Sequence, residues 1–318
     1  MKKSIKQETA FVLILHDIGC RLRCVFCSAH NFSSKKAADQ IAKEQLNRLK
    51  KFCQEKIPDW LVVSGNDPGE YHGLIDFLKK IKKITPIKID MQSHGLSFAK
   101  KSFLEEIIDI GNVGSFQIPL YGHTAVVHDT ITKKPGSFNS VLKTLANLKR
   151  LGFPEVRLRT LFLKQNEQSW PELFKFLLGF GYSVNAALVS LPSYQGYYSP
   201  QALVNIPDLK KISVFFKSKD FSNLKNKQKL SFHNIPPCLT GTRFNNGTKI
   251  QKDVGGYDHF LNKKIDLIKI NNSALAFYRL LSKTEHCQQC SLDKQCRGIP
   301  KPYIDLNLFK AKPFLKNS

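Results

Sequence analysis

The sequence predicts an α/β fold, a partial barrel of six β/α units, with a small C-terminal module attached. Between residues 11 and 191, short apolar runs rich in β-branched residues alternate with longer amphipathic stretches. Six such pairs follow one another, and strands that alternate with helices in this rhythm form parallel β/α units. From residue 232 onward the chain holds a cysteine group and few long periodic segments, as expected of a module organised by metal ligands.

Six predicted strands form the barrel. They span residues 11–16, 61–64, 87–92, 113–119, 156–163 and 186–191. The stretches between them carry apolar residues at spacings of three and four, which predicts amphipathic helices. These helices span residues 37–52, 71–84, 100–110, 137–151 and 170–180.

Beyond residue 191 this rhythm stops. A tyrosine-rich turn is followed by a lysine-rich run from Lys210 to Lys229, which predicts one amphipathic helix and a linker. We therefore divide the chain into a barrel core at 1–195, a linking and bridging helical region at 196–231 and a C-terminal cluster module at 232–318.

The composition bounds the class of protein. Lys and Arg number 49 against 25 Asp and Glu, a formal net charge of +24 that favours an anionic partner such as RNA. An AT-rich coding bias also produces this excess of Lys. The charge therefore leaves RNA as a possible partner but does not favour it over other partners. No apolar run reaches the roughly 18 residues that cross a bilayer, so we expect a cytoplasmic protein without a membrane partner. Eight cysteines in such a chain indicate metal or redox chemistry.

The first cysteine group directly follows the first predicted strand. It reads Cys20-Arg-Leu-Arg-Cys24-Val-Phe-Cys27 and lies at the end of the strand where barrel active sites are built. Three thiolates can hold three irons of a cubane cluster and leave the fourth iron open to a small molecule. Zinc sites more often pair two ligands and take two from elsewhere, so a zinc knot is the alternative.

This C-x3-C-x2-C motif, with the aromatic Phe26 before its last cysteine, resembles the radical S-adenosylmethionine (SAM) superfamily. The resemblance implies a TIM-like partial (β/α)6 barrel and a 4Fe-4S cluster on Cys20, Cys24 and Cys27, with SAM on the open iron. It also implies an enzyme in which an electron from the cluster cleaves SAM to a 5′-deoxyadenosyl radical. That radical then abstracts hydrogen from the substrate.

Other segments resemble the SAM-binding positions of the family. The segment 64–68, Ser-Gly-Asn-Asp-Pro, ends the second strand as the Gly-Gly-Glu-Pro segment does in the family. A plain strand-to-helix turn is the alternative, and the Asn and Asp depart from the usual residues. The resemblance implies SAM contacts from Gly65, Asn66, Asp67 and Pro68, and it suggests that Ser93, at the end of the third strand, lines the SAM pocket.

Two residues of the fifth unit are further candidates. Arg157 and Arg159 alternate with apolar residues, and a buried Arg needs an anion. The carboxylate of SAM is the candidate partner of Arg159, and two salt-bridged Arg on the outer surface are the alternative. Asn166, at the exit of this strand, resembles the family position that meets the ribose of SAM.

The fourth unit resembles one subgroup of the superfamily. Pro-Leu-Tyr-Gly at 119–122 is followed by His128-Asp129 and by Pro-Gly-Ser-Phe at 135–138. This stretch is similar to members that carry an additional SPASM or twitch cluster domain, many of them peptide maturases. Among these it is most like the maturases of His-Xaa-Ser peptide systems.

The second cysteine group is C-terminal. Cys287, Cys290 and Cys296 form a C-x2-C-x5-C pattern, and Cys238 supplies a fourth thiol upstream. Four thiolates close a tetrahedral zinc site or a fully ligated cubane, and geometry alone does not separate them. The spacing resembles SPASM and twitch modules, which implies one auxiliary 4Fe-4S cluster, with structural zinc as the alternative. Cys53 has no partner pattern and is interpreted as a small hydrophobic residue.

The leading functional hypothesis is a radical SAM enzyme that modifies a peptide or protein, with a low-potential electron donor such as flavodoxin or ferredoxin. Modification of RNA or of a small metabolite is a second hypothesis. A non-catalytic zinc or iron–sulfur scaffold, or a nucleic-acid binder, is the third. The sequence names no catalytic acid or base and no oligomeric state.

Overall fold

A computed structural model describes residues 10–15, 19–27, 34–189, 203–241, 281–294, 296 and 298–315 of this chain. It also describes the backbone of two short strands, Ser193–Tyr194 (β7) and Tyr197–Tyr198 (β8), which pair in antiparallel fashion. The remaining residues of the predicted C-terminal module, including 242–280, lie outside the described residues.

Seven strands form the main sheet. They are Ala10–Leu15 (β1), Trp60–Gly65 (β2), Ile89–Gln92 (β3), Val113–Pro119 (β4), Val156–Phe162 (β5), Ser183–Leu188 (β6) and Leu230–His233 (β9). The order in the sheet is β1-β2-β3-β4-β5-β6-β9, and the pairs β1–β2, β2–β3, β3–β4 and β6–β9 are parallel. This order follows the chain without a reversal, as in a β/α barrel and unlike a doubly wound sheet. The prediction of an α/β partial barrel is confirmed.

The sheet has one strand more than the six predicted. The additional strand β9 has only four residues, Leu-Ser-Phe-His, and it directly follows the lysine-rich run. That run contains two helices, Leu209–Lys217 (α7) and Lys219–Ser222 (α8), where one helix was predicted. The hydroxyl of Ser218 ends the first helix and caps the second by accepting the Phe221 N–H, so the break has a local cause.

Six helices precede this run. They are Lys35–Glu55 (α1), Leu74–Ile84 (α2), Lys101–Ile110 (α3), Ala125–Thr132 (α4), Ser137–Arg150 (α5) and Trp170–Gly179 (α6). The longest, α1, begins where the Ser34 hydroxyl accepts the Ala37 N–H at 3.2 Å. The predicted helices are all present, and α4 is an addition within the His128-Asp129 stretch.

The two faces of the sheet differ in polarity because successive side chains of a strand point to opposite faces. One face is apolar and buried, and its rings pack on the helices, as Phe11 does on Phe52 of α1 with a centroid separation of 5.1 Å. On the other face Asp90 accepts hydrogen bonds from Ser115, Gln117 and Arg157 at 2.5–2.6 Å. The polar face therefore offers hydrogen-bonding groups that an apolar core would exclude.

The chain divides into two compact units. The first contains the described residues up to Leu120 together with Thr132–Leu158, and so includes β1 to β4 with helices α1, α2, α3 and α5. The second contains Tyr121–Ile131 and the described residues from Arg159 onward.

The described residues from 281 onward contain little regular structure. Leu281–Ser282 (β10) pairs in antiparallel fashion with Ile299–Pro300 (β11). The single-turn helix Pro237–Thr240 (α9) precedes this part of the chain, and the single-turn helix Pro302–Asp305 (α10) and the 3-10 helix Glu285–Gln289 belong to it. Tyr303 of α10 is fully buried and donates a hydrogen bond from its hydroxyl to the Val189 carbonyl at 3.1 Å.

None of the helices in the described ranges combines the length and the apolar character that crossing a bilayer requires.

Candidate functional site

The three cysteines of the first group lie in the loop 19–27. This loop follows β1, which ends at Leu15, and residues 16–18 between them lie outside the described residues. Cys20, Cys24 and Cys27 are all half-buried, and none forms a disulfide. A turn at Val25 and Phe26 brings the Cys27 N–H to the Cys24 carbonyl at 3.0 Å. Phe26, the predicted aromatic neighbour of the cluster, is thus held in this turn, half-buried.

The thiols are close enough to influence one another electrostatically. Burial raises the pKa of the Cys24 thiol, and the charges of Cys27 and Cys20 raise it further. Three thiolates in such a loop are stable only beside a positive centre, which lowers their pKa. The donor set therefore fits a cationic iron–sulfur cluster bound by three cysteines.

A buried carboxylate and an arginine connect this loop to the segment after β2. The Arg21 side chain donates from Nε to Glu70 Oε1 at 2.5 Å, and the Arg21 N–H donates to Glu70 Oε2 at 2.9 Å. Arg21 also donates to the Ser97 hydroxyl at 2.7 Å. Burial opposes the charge on Glu70, but His94 and Arg21 together lower its pKa to about 2. The sequence does not reveal Arg21 and Glu70 as partners, because they are 49 positions apart and no motif joins them.

The end of β2 approaches β1 very closely. Gly65 has a φ of +142°, and a Cβ there would lie 1.7 Å from the Leu15 carbonyl oxygen, so only Gly fits. The next N–H, of Asn66, donates to the same oxygen at 3.2 Å. Pro68 is buried and begins a single 3-10 turn. The contacts of Gly65, Asn66 and Pro68 with SAM stay predictions. The backbone of Gly65 and Asn66 lies against Leu15 at the end of β1.

Asp67 connects the ends of two strands. It is fully buried, and its oxygens accept hydrogen bonds from the Gly69 N–H at 2.7 Å, the Ser93 hydroxyl at 2.9 Å and the His94 N–H at 2.6 Å. Burial raises the pKa of Asp67, while His94 opposes the increase. As SAM contacts, Asp67 and Ser93 stay predictions. Their observed partners are one another and the neighbouring backbone.

His94 stands between this carboxylate and the cysteine loop. Its Nδ1 lies 3.1 Å from Asp67 Oδ2, and its Nε2 lies 2.8 Å from Glu70 Oε1. A ring nitrogen of His94, the Cys20 Sγ and a Glu70 oxygen all lie within 4.8 Å of one another. Burial by itself lowers the pKa of His94, but Asp67, Cys20 and Glu70 raise it to about 10. The sequence analysis gave this residue no role.

The two arginines of β5 have different partners. Arg157 forms a salt bridge with Asp90 at 2.6 Å. Arg159 has no salt bridge within the described ranges, and it lies near His233, whose pKa is lowered to about 3 by burial and by the Arg159 charge. Arg159 is half-buried, and its contact with the SAM carboxylate stays a prediction.

Asn166 has an extensive set of partners inside the protein. Its side chain is buried, donates to the carbonyls of Tyr121 and Leu161 at 2.9 Å, and accepts from the Leu163 N–H and the Trp170 indole. The ribose contact stays a prediction, and the observed bonds give Asn166 a structural role in the loop after β5.

The stretch after β4 packs tightly around a buried histidine. His128 Nδ1 accepts the Tyr121 N–H at 3.2 Å, and burial lowers the pKa of His128 to about 4. A Cβ at Gly122 would lie 2.6 Å from the backbone nitrogen of His128, so this turn also requires Gly. The Ser137 hydroxyl meets the Thr132 hydroxyl at 2.7 Å. Internal contacts therefore account for the presence of Gly122, His128 and Ser137 in this stretch.

The four cysteines of the second group line one pocket of about 400 Å³. Cys238 comes from α9, and the other three come from the segment 287–296. Burial raises the pKa of Cys238 to about 11, with further increases from Cys296, Cys287 and Cys290. The rest of the wall includes Leu292, Phe309 and Phe314. Four converging thiols in an apolar pocket fit a fully ligated metal centre.

Cys53 lies on α1, apart from either group. It is half-buried, and burial raises its pKa. A side-chain hydrogen bond with Thr85 acts in the opposite direction. The thiol thus has a local structural environment, as interpreted from the sequence.

Solved structures with a similar fold include peptide-binding proteins. Native anSMEcpe with bound AdoMet matches with a TM-score of 0.59 at 13% identity, over 91% of this chain and 89% of that chain. Streptococcus suis SuiB bound to the precursor peptide SuiA matches with a TM-score of 0.50 at 16% identity, over 98% and 75%. Native anSMEcpe with bound AdoMet and Kp18Cys peptide matches with a TM-score of 0.50 at 14% identity, over 66% of this chain but only 58% of that chain.

At these identities the likeness concerns the fold alone. No curated protein sequence matches this chain. The sequence model of the family described as "Radical SAM superfamily" matches residues 14–177, which are just over half of the chain. This range runs from the end of β1 through the three-cysteine loop into α6, and so includes strands β2 to β5 and the first cysteine group. The chain is an enzyme that belongs to the radical SAM superfamily.

Proposed function

We propose that this enzyme cleaves SAM reductively and uses the resulting radical to modify a peptide or protein. The observation that carries the proposal is the loop 19–27, in which Cys20, Cys24 and Cys27 follow β1 and are held by Arg21 and Glu70. The cysteines would hold a 4Fe-4S cluster, which, with SAM bound, supplies the electron that forms the 5′-deoxyadenosyl radical.

The protein's own residues would position SAM. The backbone at Gly65 and Asn66 is held rigidly at the end of β1 by the close contact with Leu15. Ser93 lies at the end of β3, on the network of Asp67. Arg159 is the guanidinium with no anion among the described residues, and it is our candidate for the SAM carboxylate.

The second cysteine group would hold one auxiliary 4Fe-4S cluster. Cys238, Cys287, Cys290 and Cys296 share one pocket, and a cubane with four cysteine ligands is closed to further ligands. Structural zinc uses the same four ligands, so metal analysis must separate the two. The match of this group to the SPASM and twitch spacing favours iron.

A peptide or protein is the proposed substrate, and a flavodoxin or ferredoxin the proposed electron donor. Two solved structures of similar fold contain peptides, one of them a precursor peptide. The polar inner face of the sheet, with Asp90, Ser115 and Gln117, offers the donors and acceptors that a polar substrate requires.

The test is anaerobic reconstitution with iron and sulfide, followed by metal analysis, EPR and an assay for 5′-deoxyadenosine. We expect about eight irons per chain and SAM cleavage in the wild type. Cys24→Ala should reduce SAM cleavage at least about a hundredfold, because it removes a ligand of the cluster that reduces SAM. Cys53→Ala is the matched control and should keep both iron and activity.

The auxiliary centre has its own variant. The double variant Cys287→Ala/Cys290→Ala, which leaves two thiols at the second site, should lower the iron content from about eight to about four per chain while SAM cleavage continues, because the first site keeps its ligands. Near-stoichiometric zinc in the wild type would assign zinc to the second site. Zinc without iron, together with no SAM cleavage, would refute the proposed function.

A further inference from the structure

One buried polar atom beside the cysteine loop has no hydrogen bond of acceptable geometry within the described part of the chain. It is Nε2 of His94, a residue that is only 7% exposed. Glu70 Oε1 lies 2.8 Å from this nitrogen, but the ring does not direct an N–H along that line. Buried polar atoms of this kind are rare, and each requires an explanation.

The other ring nitrogen determines where the proton lies. His94 Nδ1 accepts the Leu96 N–H at 3.2 Å, so a neutral ring carries its hydrogen on Nε2. A protonated ring carries a hydrogen there as well. Nε2 is therefore a hydrogen-bond donor in both protonation states, and its role does not depend on titration.

Two acceptors lie close to this donor. A ring nitrogen of His94, the Cys20 Sγ and a Glu70 oxygen are within 4.8 Å of one another. Glu70 already accepts two hydrogen bonds from Arg21, at 2.5 and 2.9 Å. Arg21 donates no hydrogen bond to the Cys20 sulfur, whereas a side-chain hydrogen bond between His94 and Cys20 is among the causes that raise the pKa of His94. A cysteine thiolate bound to iron accepts such hydrogen bonds.

We infer that His94 is a positioning residue, whose Nε2–H donates a hydrogen bond to the Cys20 sulfur when the cluster is present. This inference rests on the proposed cluster at Cys20, Cys24 and Cys27. Hydrogen bonds to the sulfurs help to set the potential of an iron–sulfur cluster, and a donor stabilises the reduced form, which carries more negative charge. His94 thus eases reduction of the cluster that cleaves SAM, and Asp67 and Glu70 hold its ring in place.

The test measures the reduction potential, not activity. The cluster of interest is identified by the EPR signal that changes when SAM is added, and its reduced fraction is followed at fixed solution potentials. His94→Leu should lower the ratio of reduced to oxidised cluster about tenfold at a given potential. His94→Gln, which retains an amide N–H, should restore part of this difference. An unchanged ratio in His94→Leu, at unchanged iron content, would overturn the inference.

A second measurement uses the wild-type chain, in case His94→Leu loses its iron. Pulsed EPR on protein labelled with ¹⁵N-histidine should detect a weak nitrogen coupling to the SAM-responsive cluster, absent from His94→Gln. A strong coupling, as of a nitrogen bound directly to iron, would overturn the inference, as would no coupling.

Failure of the inference is distinguishable from failure of the proposed function. If the wild type forms the cluster and 5′-deoxyadenosine but shows no effect of His94, only the inference is wrong. If the wild type forms neither, the proposed function is wrong and the inference is overturned with it.

Discussion

The two cysteine groups reach their geometry in different ways. Cys20, Cys24 and Cys27 span eight residues of one loop, and the hydrogen bonds that Arg21 donates to Glu70 tie that loop to the segment after β2. The second group joins Cys238 to three cysteines that follow it by about fifty residues or more, in a segment with little regular structure. Its pocket walls are largely apolar, and the polar contacts to its thiols include a local one, from the Gly298 N–H to the Cys296 sulfur at 3.3 Å.

From this difference we propose that the first site is preorganised and that the second would be organised by a bound metal. The carboxylate of Asp67 accepts one hydrogen bond within the turn after β2, from the Gly69 N–H. It accepts two more from the end of β3, from the Ser93 hydroxyl and the His94 N–H, and so connects the two segments. In the second group burial raises the pKa of Cys238 and Cys296, and the charges of the neighbouring thiols raise it further, a repulsion that a bound cation would reverse.

Removal of the metals gives the largest expected effect. In the metal-free protein we expect the amide protection of residues 281–294 and 298–315 to fall by roughly a hundredfold or more, because metal binding supplies the folding free energy of that segment. Residues 89–99, next to the first site, should keep most of their protection. The measurement is hydrogen exchange on the reconstituted and metal-free chains, and an equal loss in both regions would contradict the comparison.

The network of Asp67 should give the next largest effect. Asp67→Ala leaves the Ser93 hydroxyl and the N–H groups of Gly69 and His94 without their acceptor, so the free energy of unfolding should fall by about 2–3 kcal/mol. Anaerobic chemical denaturation measures this change.

The matched control is Asp76→Ala on α2. Asp76 is exposed and pairs with Lys80 one turn away. Such a pair contributes little, so this variant should differ from the wild type by no more than about 0.5 kcal/mol. Equal effects of the two variants would show that the Asp67 network does not preorganise the first site.

The anchor of the C-terminal segment should give the smallest effect. Tyr303→Phe removes the hydrogen bond from the Tyr303 hydroxyl to the Val189 carbonyl and should lower the free energy of unfolding by about 1 kcal/mol. The ring remains buried, so its packing is kept. Tyr182→Phe, at a half-buried position, is the control. A much larger effect of Tyr303→Phe would mean that protein contacts, and not the metal, organise this segment.

Both cysteine groups could be found in the sequence, although their role as ligands stays a prediction, and the six longer strands could be predicted from it. Cysteine spacing is local, and apolar periodicity reports directly on which face of a strand or helix is buried. The four-residue strand β9 escaped prediction because so short a run has no readable period next to a lysine-rich helix. The break between α7 and α8 depends on one capping hydroxyl, that of Ser218, which periodicity does not reveal.

The sequence by itself determined the α/β order, the superfamily and the thiols that would carry the metals. Only the tertiary structure decided what surrounds them: Glu70 on Arg21, Asp67 between two strand ends, and the Nε2 of His94 beside Cys20. The physical reason is that these contacts join residues 26 to 74 positions apart, which parallel strands bring to the same edge of the sheet. Local spacing carries no information about which of many buried polar residues will meet there.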